Sequence, residues 1–298
     1  MKLLITGASG LYGSKLAEHA LSKQHQVYSV HSQHPATYGV PIQLDITDKE
    51  KVQAEFKKVQ PEVVVHAATM TDVDKCELNK ELAWKINVDG TRNVAQAAKA
   101  SNAFLLYIST DYVFDGEKGC YRETDQPSPI NYYAYTKLKA EEYVKDHMSD
   151  CGIARPSVIY GANPAAGKIN FALWLLNKLK NKEQAKVFVD QWNSPTLNTS
   201  LADMTLEVAE RKLTGIYHLS GASRISRYEF ALSLAKTFGL DESLLVPTAL
   251  KDFSFSAKRP RDSSLSTAKA ELTLRNKPLK VDEALEKLKT ELNKPNLA

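Results

Sequence analysis

Through the first half of the chain, short apolar runs alternate with amphipathic stretches. Residues 3–5, 27–30, 63–65 and 104–108 are runs of mostly apolar side chains, as expected of strands buried on both faces. Between them the apolar positions follow helical spacing near residues 11–22, 48–58, 82–99 and 132–148. This alternation predicts an α/β fold, a doubly wound parallel Rossmann sheet with right-handed crossovers. Residues 153–160 and 216–219 are read as further strands. Beyond residue 160 the regular pattern breaks into turn-rich pieces and isolated helices such as 228–238. The predicted division is a sheet domain of residues 1–160 and 199–222 with a small C-terminal α/β lobe of residues 161–198 and 223–298. Residues 175–183, Leu-Leu-Asn-Lys-Leu-Lys-Asn-Lys-Glu, read as a solvated helix face and turn. Near the C-terminus, Val281, Ala284, Leu285, Leu288 and Leu292 share one helical stripe, as ordinary packing requires.

The chain has 298 residues, 43% of them hydrophobic, enough for a sizeable core. Its 39 basic and 35 acidic side chains are scattered and leave a net charge of +4. That distribution argues against a nucleic-acid partner and suits an anionic small molecule. Cys76, Cys120 and Cys151 are too few and too widely spaced for a disulfide framework or a zinc site, and reduced thiols imply the cytoplasm. No signal peptide or membrane-spanning run is read, so no membrane partner is expected. The Asn198-Thr199-Ser200 sequon is taken as a chance match.

Two motifs carry chemistry. The first apolar run enters Gly7-Ala-Ser-Gly10-Leu-Tyr-Gly13 and then a helical pattern with Leu16, Ala17, Ala20 and Leu21. Glycines at a strand–helix junction let backbone approach a pyrophosphate, and the helix aims free N–H groups at it. The segment therefore predicts a dinucleotide site. The second motif is Asn131-Tyr-Tyr133-Ala-Tyr135-Thr136-Lys137-Leu-Lys139-Ala140-Glu141. A tyrosine and a lysine four apart share a helix face, and a nearby ammonium favours the phenolate. Tyr133–Lys137 and Tyr135–Lys139 both have this spacing. Positions 133, 137, 140 and 144 form an apolar face with one polar pair, whereas 135, 139, 142 and 146 read as solvated, so Tyr133 and Lys137 are the expected pair. Upstream, Ser109-Thr110-Asp-Tyr112-Val-Phe-Asp-Gly116 follows the fourth apolar run, at the strand end where ligands of open α/β sheets bind. A hydroxyl there could hold a carbonyl while tyrosine transfers a proton.

With these motifs the chain resembles the extended short-chain dehydrogenase/reductases and, within them, the dTDP-4-dehydrorhamnose reductase family. Further similar blocks are His66-Ala-Ala-Thr-Met-Thr-Asp-Val73-Asp74, Asn87-Val-Asp-Gly90-Thr, Asp190-Gln-Trp-Asn-Ser-Pro195-Thr and Arg259-Pro-Arg-Asp-Ser-Ser-Leu265. The resemblance spans residues 3 to about 270. It implies NAD(P)H-dependent reduction of the C4 ketone of a nucleotide-linked 6-deoxy sugar, dTDP-4-dehydrorhamnose to dTDP-rhamnose. The implied cofactor residues are Gly7, Gly10, Leu11, Tyr12, His31, Ser32, Asp45, Ile46, Ala67, Ala68, Thr69 and Asn87, with Lys137 on the nicotinamide ribose. Tyr133 would protonate the sugar oxygen and Thr110 would polarise the carbonyl. Val73, Tyr112 and Arg259 would meet the substrate, although Arg259 could equally serve an ordinary ion pair.

The second run ends Val30-His31-Ser32-Gln33-His34, without the carboxylate that usually selects NADH. NADPH use with NADH tolerated is expected. Two alternatives share these motifs: a regulatory subunit like that of methionine adenosyltransferase, with that enzyme as partner, and a sugar-nucleotide epimerase or dehydratase. A homodimer is also entertained. Some enzymes of the resembled family form a Mg²⁺-bridged dimer, but no carboxylate cluster here is assigned as metal ligand, and Mg²⁺ use stays open.

Overall fold

The apolar runs become strands β1 (Lys2–Thr6), β2 (Gln26–His31), β3 (Val40–Gln43), β4 (Val63–His66), β5 (Phe104–Ile108) and β6 (Cys151–Ala154). Together with β11 (Gly215–Tyr217) they form one parallel sheet in the order β11-β6-β5-β4-β1-β2-β3. This is a computed structural model in which residues 1–163 and 169–294 are described. The strand order reverses between β1 and β4, which pair side by side from Leu3–Val63 to Thr6–His66. In such sheets the crevice beyond these strand ends is the ligand site.

Side-chain alternation along the strands splits the core between two faces. Leu3, Ile5, Val63, Val65 and Leu106 pack with helices α1 (Leu11–Ser22) and α8 (Asn198–Glu210). Leu4, Val64, Leu105 and Tyr107 pack with α2 (Lys49–Val59), α5 (Gly90–Ala100) and α6 (Tyr132–His147). Two short helices, α3 (Val73–Leu78) and α4 (Lys80–Trp84), precede α5, and α4 runs into it through a π-helical turn at Lys85–Asp89. The helix expected over 82–99 is therefore longer and contains a widened turn, as often occurs near functional residues.

Two strand expectations are corrected. Residues 153–160 are not one strand: β6 stops at Ala154, and β7 (Ile159–Tyr160) pairs instead with β10 (Thr196–Leu197). Pro156 cannot donate to a ladder, and the buried Arg155 turns onto Glu141 through bonds of 2.9 and 2.6 Å. Strand β3 was not anticipated because it is a largely exposed edge strand containing Pro41, a position where the sheet tolerates proline.

A separate core holds the C-terminal lobe. Leu175, Leu176 and Leu179 of α7 (Phe171–Lys180), Phe230 and Leu234 of α9 (Arg227–Phe238), and Leu285 and Leu288 of α11 (Val281–Asn293) converge there. Each such side chain contributes roughly 1.5–3 kcal/mol on burial. The 175–183 stretch thus buries its leucines and solvates its lysines, Lys178 pairing with Glu183 at the surface. Around this core, β8 (Ala185–Phe188) pairs with β13 (Leu245–Thr248), and β9 (Trp192–Asn193) pairs with β12 (Ile225–Ser226). Helix α10 (Ala268–Thr273) lies in the stretch grouped above with the lobe, yet Ala270 and Leu274 pack on the sheet. Residues 164–168 and 295–298, also grouped with the lobe, lie outside the described residues. Asn198 of the sequon is buried, and its amide donates to the Leu11 carbonyl at 3.1 Å.

Candidate active site

The turn after β1 is shaped by steric demands that only glycine meets. Gly7 has φ +72°, and a Cβ there would lie 2.9 Å from the Ala67 carbonyl carbon and the Ala68 nitrogen. A Cβ on Gly13 would lie 2.3 Å from the Gly7 oxygen. Gly10 opens α1 with no side-chain cap, so the first amides of the helix are left for a ligand. Gly7, Gly10, Leu11 and Tyr12 line a cleft of about 630 Å³. The Tyr12 ring turns away from it and its hydroxyl donates to Thr205 at 2.9 Å, tying α1 to α8.

The end of β4 supplies Ala67, Ala68 and Thr69 to the same cleft. Their backbone is fixed from behind. Thr6 Oγ1 accepts from the amides of Ala67 and Ala68, both at 3.1 Å, and bonds to His66 Nδ1 at 2.7 Å. Thr91 donates to the Asn87 carbonyl, so its hydroxyl oxygen accepts from His66 Nε2 at 2.9 Å, which assigns a neutral imidazole with the proton on Nε2. Burial, helped by the Lys137 charge, lowers the His66 pKa to about 3. Asn87, in the widened turn, accepts from Thr69 Oγ1 and the Met70 amide and donates to Met70 O and Thr136 Oγ1. All its bonds brace the β4 loop against α6, and it does not line the cleft.

Thr110 and Tyr112, at the end of β5, face Tyr133 across the cleft. The rings of Tyr112 and Tyr133 meet edge-on at 6.3 Å. Asn131 caps α6 by accepting from the Ala134 amide at 2.9 Å and so fixes the start of the helix that carries Tyr133. Burial raises the Tyr133 pKa, with the Thr110 hydroxyl partly opposing it. The phenol is therefore held protonated, contrary to the expectation that the lysine would favour the phenolate. Lys137 is 1% exposed; its Nζ donates to the Ile108 carbonyl at 2.7 Å and lies 4.3 Å from the centre of the Tyr107 ring. Burial lowers its pKa to about 7. It sits behind the cleft wall. In the other register, Tyr135 is 39% exposed and Lys139 pairs with Glu142 at 2.6 Å.

Several anticipated residues lie elsewhere. His31 and Ser32 do not line the cleft; His34 does, at its glycine end. Asp45 is exposed and accepts from the Thr47 amide, while Ile46 is buried against Gly90. Arg259 is outside the cleft, paired with Asp74 at 2.6 Å and donating to Ala257 O at 2.9 Å. Val73 lines it, as does a group the sequence reading missed: Asp111, Asn170 and Arg227. Asp111 is buried, which raises its carboxyl pKa, and it accepts from Ser157 at 2.8 Å, Ser263 at 2.6 Å and Thr110 at 3.1 Å. Arg227 is the first residue after Ser226, which forms a capping box with Glu229, and that Ser-x-x-Glu spacing was the available signal.

The family model described as the RmlD substrate binding domain matches residues 1–294. The chain belongs to that family. A probable low-salt glycan biosynthesis reductase, Agl14, of Haloferax volcanii is 33% identical over 91% of both chains. A dTDP-4-dehydrorhamnose reductase of Aggregatibacter actinomycetemcomitans is 31% identical over 97% of this chain and 98% of its own. Methionine adenosyltransferase 2 subunit beta of Pongo abelii is 32% identical over 91% of this chain and 81% of its own. Among solved structures, a dTDP-4-dehydrorhamnose reductase of Clostridium acetobutylicum superposes with TM-score 0.89 at 34% identity, over 99% of this chain and 100% of that one. One of Bacillus anthracis in complex with NADP gives 0.87 at 32% identity, over 98% and 100%.

Proposed function

We propose that the chain is an NAD(P)H-dependent reductase of a nucleotide-linked 4-keto-6-deoxy sugar, converting dTDP-4-dehydrorhamnose to dTDP-rhamnose. One observation carries the proposal: a single cleft at the strand-order reversal joins the Gly7–Gly13 cradle to Thr110 and the protonated Tyr133. The uncapped start of α1 would hold the cofactor's pyrophosphate, and Ala67, Ala68 and Thr69 would line its ribose side. When bound, the nicotinamide supplies a hydride to the sugar's carbonyl carbon. Tyr133 gives its phenolic proton to the carbonyl oxygen; burial keeps the phenol protonated before the step. Thr110 holds the same oxygen. Lys137, held on the Ile108 carbonyl behind the cleft wall, would serve the nicotinamide ribose side, and its charge would favour the phenolate left on Tyr133. Val73 and Tyr112 form the sugar's apolar wall.

The end of β2 carries no carboxylate against a 2′-phosphate, so NADPH is favoured and NADH tolerated. Among the described residues no helix is long and apolar enough to cross a membrane and no cluster of metal-ligating side chains occurs. We also propose a cytoplasmic location, where Cys76, Cys120 and Cys151 stay reduced. We include a homodimer, and no nucleic-acid or membrane partner, in the same proposal. Steady-state consumption of NADPH with dTDP-4-dehydrorhamnose, run beside NADH, tests it; ordinary turnover with NADPH ahead is expected, and no turnover despite NADPH binding would overturn it.

The similarity to methionine adenosyltransferase 2 subunit beta favours a second reading, a cofactor-binding regulatory subunit. Stoichiometric co-purification with a methionine adenosyltransferase, together with absent turnover, would establish that reading.

A further inference from the structure

We propose that Arg227 forms an anion subsite at the lobe end of the cleft, which takes a phosphate oxyanion of the nucleotide sugar's diphosphate. The proposal rests on the sugar-nucleotide reading above and assigns the recognition of its charge. Among the described lining residues Arg227 is the sole lysine or arginine. It faces Tyr112 and Asp111, and so lies on the Thr110–Tyr133 side rather than at the glycine cradle.

Its charge is felt by Asp111 but sits in no ion pair among the described residues. No carboxylate lies within 4.0 Å of Arg227 among the described residues, whereas Arg259, the arginine expected from sequence at the substrate, is neutralised by Asp74 at 2.6 Å. The adjacent carboxylate, Asp111, uses its oxygens on the hydroxyls of Thr110, Ser157 and Ser263 instead. The guanidinium is nonetheless held in place. Its Nε donates to Gln191 Oε1 at 3.4 Å, its backbone amide donates to Gln191 O at 3.0 Å, and its plane lies 4.9 Å from the centre of the Phe171 ring. No hydrogen bond from its two terminal nitrogens is present among the described residues. Burial disfavours the charged form. A half-buried, oriented guanidinium without an ion-pair partner in a cleft is costly unless a ligand supplies the counter-charge, and its two-pronged geometry matches phosphate oxygens.

Titration calorimetry of the NADPH-loaded protein with dTDP, UDP, inorganic pyrophosphate and thymidine tests this. For wild type, dTDP binds well above thymidine. In Arg227→Gln the dTDP affinity falls about 10- to 100-fold, thymidine affinity is unchanged and NADPH affinity is retained. Arg227→Lys, which keeps the charge without the fork, recovers part of the loss and serves if the glutamine variant misfolds. Equal dTDP affinity in wild type and both variants, or a parallel loss of NADPH affinity, overturns the subsite. So does failure of all three anions to bind wild type. Arg227-dependent binding of UDP or pyrophosphate but not dTDP would uphold the subsite and reject the thymidine-nucleotide reading.

Discussion

The two ends of the cleft are built from different material. At the glycine end, contacts come from backbone: the Gly7–Gly13 turn, the first amides of α1 and the Ala67–Ala68 segment, the last braced by Thr6 with His66 behind it. At the far end, contacts come from side chains on separate segments: Asp111 after β5, Ser157 after β6 and Arg227 at the start of α9, with Ser263 holding Asp111 from outside the cleft. The first end is rigid and generic, as suits a cofactor common to many reactions. The second carries strained electrostatics, a buried carboxyl and an unpaired guanidinium, as suits recognition of a particular substrate.

The sharpest way to break the comparison is at the junction of the two ends. Tyr133→Phe removes the proton donor and should lower kcat by about 100- to 10,000-fold while NADPH still binds. Tyr135→Phe, at the solvated position, should leave kcat within about twofold of wild type. Stopped kinetics together with cofactor titration would check both, and a comparable loss in Tyr135→Phe would reverse the assignment. At the glycine end, Gly13→Ala places a methyl 2.3 Å from the Gly7 oxygen. The turn must then open, and NADPH affinity should fall about 100-fold, since overpacking against backbone costs about 1–3 kcal/mol or more. Fluorescence titration of NADPH would show it.

Smaller effects come from the titrating groups between the ends. Lys137 has a pKa lowered to about 7 by burial. If its charge holds the ribose, kcat/KM for NADPH should fall about tenfold per pH unit above that value, and Lys137→Met should lack this limb. His66 is neutral in the fold, with a pKa lowered from 6.5 to about 3. Between those values the unfolded chain binds a proton that the folded chain refuses. The His66 contribution to stability is therefore complete above about pH 6.5 and declines as pH falls toward 3, by about 1.4 kcal/mol per unit, and buried His218 adds a like contribution. Urea midpoints measured down to pH 5 should show this slope, reduced in His66→Asn.

The same contrast explains what could be read from sequence. The glycine end was legible because its requirements are local: a buried strand, spaced glycines, a helix. Tyr133 was separable from Tyr135 because the apolar face of α6 is periodic, and Tyr133, Lys137, Ala140 and Val144 are all buried. Arg227 was missed because the Ser226-x-x-Glu229 spacing beside it marks only a helix start; the fold alone brings α9 opposite Tyr112. Arg259 was put forward from its motif, but Asp74, which neutralises it, lies on a distant helix. Edge strand β3 and the break at Pro156 were hidden for a related reason. An exposed strand lacks an apolar run, and the apolar residues at both ends of 153–160 outweighed the Arg155-Pro156-Ser157 interruption where the chain changes sheet.

The most direct test of the reductase account is transfer of a label from NADPH deuterated at nicotinamide C4. With dTDP-4-dehydrorhamnose as acceptor, the account predicts dTDP-rhamnose carrying one deuterium at C4, formed in equal amount to the NADP⁺ released. Unlabelled sugar recovered unchanged, with NADPH intact and bound, would contradict it.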